Sequence, residues 1–94
     1  MNQYEIELKK LNGKFDEDDL RIGKKLADGC YDKHYGYEFS IETLKPSDNN
    51  KDAIFEMFNK NKVDFWDRIY KLNEDELKIY FNALHEFCIY MGMD

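Results

Sequence analysis

The sequence predicts a single α+β domain, residues 1–94, that is mainly α-helical, with three to four helices and a small two-stranded sheet. Two observations predict this class. Apolar residues recur at helical spacing through most of the C-terminal half, whereas two shorter segments alternate apolar and polar residues as half-buried strands do. An all-α bundle is the alternative, because the first of these two segments also has helical spacing.

That first segment, residues 4–9, alternates apolar and charged side chains, which slightly favours a strand over a helix. The same stretch places Tyr4, Leu8 and Leu11 at helical spacing, with Gly13 in a position to end a helix. Asn-Gly at 12–13 is also typical of a tight hairpin turn. Strand and helix therefore both remain open here.

Residues 16–28 predict a helix more clearly. Asp16 is a candidate N-cap with Asp19 three residues later, and acidic side chains suit the positive first turn of a helix. Gly23 weakens the helix interior, and Gly29 follows as a candidate stop.

The strongest strand signal is in residues 35–42, where aromatic residues and Ile occupy alternate positions. Pro46 and the polar residues 47–50 interrupt the pattern and predict a connecting loop. This segment supplies the second strand of the predicted sheet.

The C-terminal half predicts three helices. The first, in residues 51–60, has a short apolar stripe of Ile54, Phe55 and Phe58, and Asn61 is a candidate N-cap for the second. The last helix begins near Asn73 and Glu76, whose spacing resembles a capping box. Its main apolar stripe consists of Leu77, Tyr80, Phe81, Leu84, Cys88 and Met91.

This last helix has more apolar residues than one buried face requires. A second stripe, which completes the candidate interface of Ile79, Ala83, Phe87 and Tyr90, has Ile79, Ala83 and Tyr90 opposite the first stripe and Phe87 between the two. It is either sandwiched between neighbouring helices, which is the favoured interpretation, or offered to a second copy of the chain as a homodimer interface.

Composition and charge restrict the function. The chain has 43% apolar and 16% aromatic residues, as a folded protein does, and carries 20 acidic against 14 basic residues, a net charge of −6. Only two arginines, Arg21 and Arg68, are present, so direct nucleic-acid binding is not expected. The absence of a membrane span or a leader, together with only two cysteines, predicts a cytoplasmic protein.

The leading functional hypothesis is a small acidic protein-binding module that occludes a basic surface on a partner protein. Inhibitors, toxin antidotes and phage counter-defence factors have this general profile. The candidate contacts are aromatic and acidic side chains, which suit ion pairs and cation–π contacts. They are Tyr31, Asp32, Tyr35, Tyr37 and Glu38, with Asp16, Glu17, Asp18 and Asp19 adding charge. The alternative for these tyrosines is packing on the domain's own helices.

A zinc site is a weaker alternative. Cys30 and His34, with His85 and Cys88, have ligand-like spacing, but the paired C-x₂-C signature is absent. No cofactor is expected. The sequence carries no nucleotide-binding loop or nucleophile motif, so the protein is not expected to be an enzyme.

Overall fold

Helices account for all the regular structure in the part of the chain that the computed structural model describes, residues 2–27 and 39–91. Five are α-helices and two are short 3₁₀ turns. In chain order they are α1 (Gln3–Lys9), α2 (Glu17–Leu26), the 3₁₀ turns Ile41–Leu44 and Asp48–Asn50, α3 (Lys51–Asn59), α4 (Phe65–Tyr70) and α5 (Glu74–Tyr90).

The predicted two-stranded sheet is therefore wrong, and the all-α alternative fits the described residues. Residues 4–9, the first predicted strand, lie in α1. The helical spacing places Tyr4, Leu8 and Leu11 together in the core, whereas Ile6, which a strand would have put on the same face as Tyr4 and Leu8, is exposed. Burial of this helical stripe outweighs the local alternation of apolar and charged residues.

The second predicted strand, residues 35–42, lies partly outside the described residues. In the part that is described, residues 39–40 have no regular structure and Ile41 and Glu42 begin a 3₁₀ turn. The Thr43 side chain accepts a hydrogen bond from the Ser40 amide at 3.2 Å, so local capping shapes this segment.

Three side-chain hydrogen bonds, buried or partly buried, hold this connection in place, and two of them join it to α4 and α2. The indole Nε1 of Trp66 donates to the carbonyl of Leu44 at 2.7 Å. The side-chain amide of Asn50, itself buried, donates to the carbonyls of Leu26 at 3.2 Å and Lys45 at 2.9 Å. These contacts satisfy backbone carbonyls that would otherwise lose their water.

Two of the three predicted N-caps, Asp16 and Asn73, are confirmed. Asp16 accepts from the Asp19 amide at 3.0 Å and Asp19 accepts from the Asp16 amide at 2.9 Å, a complete capping box at the start of α2. Asn73 and Glu76 form the same arrangement for α5, at 2.8 and 3.2 Å. Both were predictable because a cap depends only on residues three positions apart.

Asn61, in contrast, ends α3 and does not begin α4. Its φ of 58° is left-handed, which Asn tolerates. The amide of Lys62 donates to the Met57 carbonyl at 2.8 Å and that of Asn61 to the Phe58 carbonyl at 3.3 Å. This is the hydrogen-bond pattern of a Schellman motif. The N-cap of α4 is Asp64.

The longest helix, α5, lies at the centre of the core. Its buried face consists of Tyr80, Ala83, Leu84, Phe87 and Cys88. The N-terminal segment runs antiparallel to it, because Tyr4 contacts Phe87 and Tyr90 near its end while Lys14 pairs with Glu76 near its start. Across the described residues, no helix is both long and apolar enough to cross a bilayer.

Gly23 allows α2 to approach α5 closely. A Cβ at this position would collide with the hydroxyl oxygen of Tyr80 and would also meet Leu84. The Tyr80 hydroxyl donates to the carbonyl of Asp19 at 2.9 Å, so the ring cannot move aside without losing a buried hydrogen bond. The glycine that weakens the helix locally is thus required by the tertiary packing.

Candidate functional site

The acidic run at the start of α2 is largely neutralised by basic side chains of the same chain. Each of its four carboxylates has an ion-pair partner. Asp16 pairs with Lys62 at 2.9 Å, Glu17 with Arg21 at 3.5 Å, Asp18 with Lys60 at 3.4 Å and Asp19 with Arg68 at 2.8 Å. Three of these cations come from the region of α3 and α4, so the ion pairs connect α2 to that region. They also reduce the negative potential that the run presents to a partner.

Asp19 is the most deeply buried of the four, with 1% of its surface exposed. The guanidinium of Arg68 donates two hydrogen bonds to its carboxylate, at 2.8 and 3.0 Å, and lies over the rings of Phe15 and Phe65. The hydrogen bond to Asp19 raises the pKa of Arg68 above its ordinary value. Asp19 is therefore part of the internal structure and is not presented to a partner.

Asp16 is more exposed but is also engaged. Partial burial acts to raise its pKa, but hydrogen bonds from Lys62 and from the Asp19 amide lower the pKa below the ordinary value of an aspartate. Asp16 is consequently ionised at neutral pH. A basic partner side chain that bound it would have to compete with Lys62.

The predicted tyrosine segment lies outside the described residues. Its members are Tyr31, Asp32, Tyr35, Tyr37 and Glu38. Their role in binding stays a prediction from the sequence.

The four residues of the predicted homodimer interface do not share one exposed surface. Ala83 and Phe87 are completely buried, Ile79 is half-buried, and Tyr90 is 57% exposed while its ring contacts Tyr4. The reason is the central position of α5, which packs against α1 on one side and α2 on another. Of the four, Tyr90 is the residue most available to a second copy.

Two of the four residues of the weak zinc candidate, His85 and Cys88, lie in the described part of the chain. Cys30 and His34 lie outside the described residues, and His85 is half-buried. Cys88 is fully buried, and this burial raises the pKa of its thiol to about 11. Without a metal such a thiol is protonated at neutral pH, so zinc binding at Cys88 would have to release its proton. Within residues 2–27 and 39–91, no group of three or more His, Cys, Asp or Glu side chains could hold a metal ion.

The sequence patterns did not reveal an exposed aromatic pair on α3. Phe55 is 68% exposed and Phe58 is 65% exposed, although the sequence placed both on the apolar stripe of this helix. The side chains of α3 that are fully buried are Ala53 and Met57, spaced four residues apart. The pair Phe55 and Phe58, spaced three apart, defines what we call the α3 outer face.

The signal for this face was present in the sequence but was ambiguous. Residues spaced three apart, such as Phe55 and Phe58, and residues spaced four apart, such as Ala53 and Met57, can each form one face of a helix. The large aromatic side chains suggested that the face of Phe55 and Phe58 is the buried one. Other large apolar side chains are exposed elsewhere in the chain, including Val63, Tyr70 and Ile89.

Comparison of the chain with protein-family models, with curated proteins and with solved structures finds no match.

Proposed function

We propose that the protein is a small protein-binding module that acts by covering a surface on a partner protein, and that Phe55 and Phe58 are its central contacts. The observation that carries this proposal is the exposure of two phenylalanines, each by about two thirds, one helical turn apart. Aromatic side chains bury a large area on binding and are prominent among the residues that dominate interface energy.

The support beneath these side chains favours binding. Ala53 and Met57 anchor α3 in the core, and the Schellman motif fixes its end. Glu56 pairs with Lys25 of α2 and, at 3.1 Å, with Lys60. A helix held in place before binding loses less conformational entropy when the partner docks, so more of the contact energy appears as affinity.

The charge of the chain indicates the chemistry of the partner. The net charge is −6, and the exposed Asp52 lies one turn before Phe55. Negative potential accelerates encounter with a basic surface, whereas apolar anchors slow dissociation. We therefore propose a partner with an apolar groove bordered by Lys and Arg, whose own activity is blocked by occlusion, as an inhibitor or antidote would block it.

Affinity capture from the source organism tests this function. Wild-type protein is compared with the double variant Phe55→Asp/Phe58→Asp and with Tyr70→Asp, a matched control that adds charge at an exposed aromatic residue on α4. A partner retained by wild type and Tyr70→Asp but lost by the double variant, with weaker retention as salt rises, is the expected result. Equal capture by all three proteins would show that the α3 outer face is not the binding surface.

Self-association is a second candidate, favoured by one specific observation. Ile89, Tyr90 and Met91 are three consecutive exposed apolar residues at the end of α5. A homodimer through this end would be converted to monomer by Tyr90→Asp and not by Phe55→Asp/Phe58→Asp. Sedimentation equilibrium of the two variants distinguishes this candidate from binding through the α3 outer face.

A further inference from the structure

A pocket of about 280 Å³ lies between α2, the end of α3 and the end of α5. Although the protein is acidic, four basic side chains line it: Arg21, Lys24, Lys25 and Lys60. Three of these cations, Arg21, Lys24 and Lys25, are close together in the sequence of α2, whereas Lys60 and the apolar wall join them only in the folded chain.

The carboxylate within the pocket is already neutralised. Glu56 accepts hydrogen bonds from Lys25 and Lys60, and the first of these lowers its pKa below the ordinary value. Lys60 also pairs with Asp18 at 3.4 Å. Lys25 and Lys60 are thus already paired, and the charge most available to a ligand is that of the other two cations.

Arg21 and Lys24 lie three residues apart on α2 and therefore project from the same side of that helix. The ion pair of Arg21 with Glu17 is long, at 3.5 Å, and its guanidinium lies over the ring of Phe87, 5.5 Å from the centroid. Lys24 is half-buried and has no ion pair within the described residues. It lines the pocket together with Phe87 and Met91 at the end of α5.

We propose that this pocket binds a small phosphate-bearing molecule, with Arg21 and Lys24 as the direct ligands of the phosphate. Arginine offers a planar pair of donors that matches phosphate geometry, and lysine adds a compact charge. Phe87 and Met91 line the apolar part of the wall, against which the apolar part of such a molecule can pack. The volume suits a ligand no larger than a mononucleotide, since pockets for drug-sized molecules begin at about 300 Å³.

Titration of the intact protein with pyrophosphate, and separately with AMP, tests the site by isothermal calorimetry and by amide chemical shifts. The expected result is saturable binding of at least one of the two, with shifts at residues 21–25 and 60. Lys24→Gln and Arg21→Gln should each weaken it about tenfold, the usual effect of losing one charged hydrogen bond.

Lys78→Gln is the matched control, because Lys78 is exposed on α5 and does not line the pocket. It removes the same charge and should leave binding unchanged. Absence of saturable binding of both compounds would overturn the proposal. So would equal weakening by Lys78→Gln and Lys24→Gln, since that result would indicate non-specific attraction. Urea unfolding of each variant confirms that the fold is intact.

Discussion

The start of α2 and the outer face of α3 use their side chains in opposite ways. The start of α2 is the most acidic run of the chain, yet each of its carboxylates is paired internally and Asp19 is buried. The outer face of α3 is strongly apolar, yet Phe55 and Phe58 remain exposed. In this protein charge contributes to internal cohesion, whereas part of the apolar surface is left outside.

This contrast changes where a partner is expected to dock. Asp16, Glu17 and Asp18 are each already paired with a cation of the chain, so a basic side chain of a partner would gain less net affinity from them. An exposed phenylalanine gains on binding by leaving water. The α3 outer face is consequently the more favourable binding surface of the two.

The largest expected effect breaks the internal pairing. Arg68→Met should lower the free energy of unfolding by an amount toward the lower end of about 3–5 kcal/mol, because it leaves the buried Asp19 carboxylate with only the longer ion pair to Lys62, at 3.7 Å. Urea denaturation measures the change.

Lys51→Met is the control for Arg68→Met. It removes an exposed cation that pairs with the exposed Asp48, and should leave the urea midpoint almost unchanged. If the two variants were equally stable, the acidic run would not depend on internal pairing and would be available to a partner.

The next effect compares the two faces of α3 directly. Met57→Ala should cost about 2–4 kcal/mol because it leaves a cavity in the core. Phe58→Ala, one residue along, should change stability by less than about 0.5 kcal/mol because its side chain is exposed. Thermal unfolding of the two proteins measures the difference, and similar losses would show that Phe58 is packed rather than open.

A smaller effect concerns the approach of α2 to α5. Gly23→Ala should lower stability by about 1–3 kcal/mol, because the added methyl group collides with the Tyr80 hydroxyl. Helix propensity alone would raise stability by about 1 kcal/mol at this position.

The variant Tyr80→Phe provides the reference for Gly23→Ala, since it removes the hydroxyl oxygen. The loss caused by Gly23→Ala should be smaller in that background, and a double-mutant cycle in urea measures the coupling. If the stability losses of the two single variants were additive, the methyl group of Gly23→Ala would not be colliding with the Tyr80 hydroxyl.

The smallest effect is the pH dependence of stability. The pKa values of Asp16, Glu56 and Glu76 are lowered in the folded protein. These carboxylates therefore stabilise the fold above their unfolded-state pKa, which is about 4. This contribution is lost as the pH falls through their folded-state pKa values. The raised pKa values of Cys88 and Tyr80 act in the other direction, because their contribution is complete below their unfolded-state pKa and is lost as the pH rises.

The urea midpoint should therefore be nearly constant around neutral pH and should decrease below about pH 5 and above about pH 9. Cys88→Ala should reduce the alkaline decrease without altering the acid one. A midpoint that rises on acidification would show that repulsion among the carboxylates outweighs their internal pairing.

Local features of the fold were predictable from the sequence, and long-range ones were not. The capping boxes at Asp16 and Asn73 were identified because each involves residues only three positions apart. The role of Asn61 was not, because a left-handed residue after α3 and an N-cap before α4 favour the same amino acid. The first predicted strand is a helix, α1, because its helical apolar stripe packs against α5.

The candidate sites likewise depend on long-range contacts that the sequence did not predict. The pairing of Asp19 with Arg68 spans 49 residues of the chain, and no short-range pattern indicates it. The pocket at Arg21 and Lys24 likewise depends on the position of the ends of α3 and α5. The exposed apolar pair on α3 lay within a stripe that the sequence identified, but its orientation was decided by Ala53 and Met57.

By itself, the sequence determined that this acidic, aromatic-rich chain forms helices, where two of them begin, and that apolar residues exceed what one face of the last helix requires. Only the tertiary structure decided which of those residues are buried and which charges are neutralised. The physical reason is that capping and periodicity are local interactions, whereas burial and ion pairing depend on which distant segments meet.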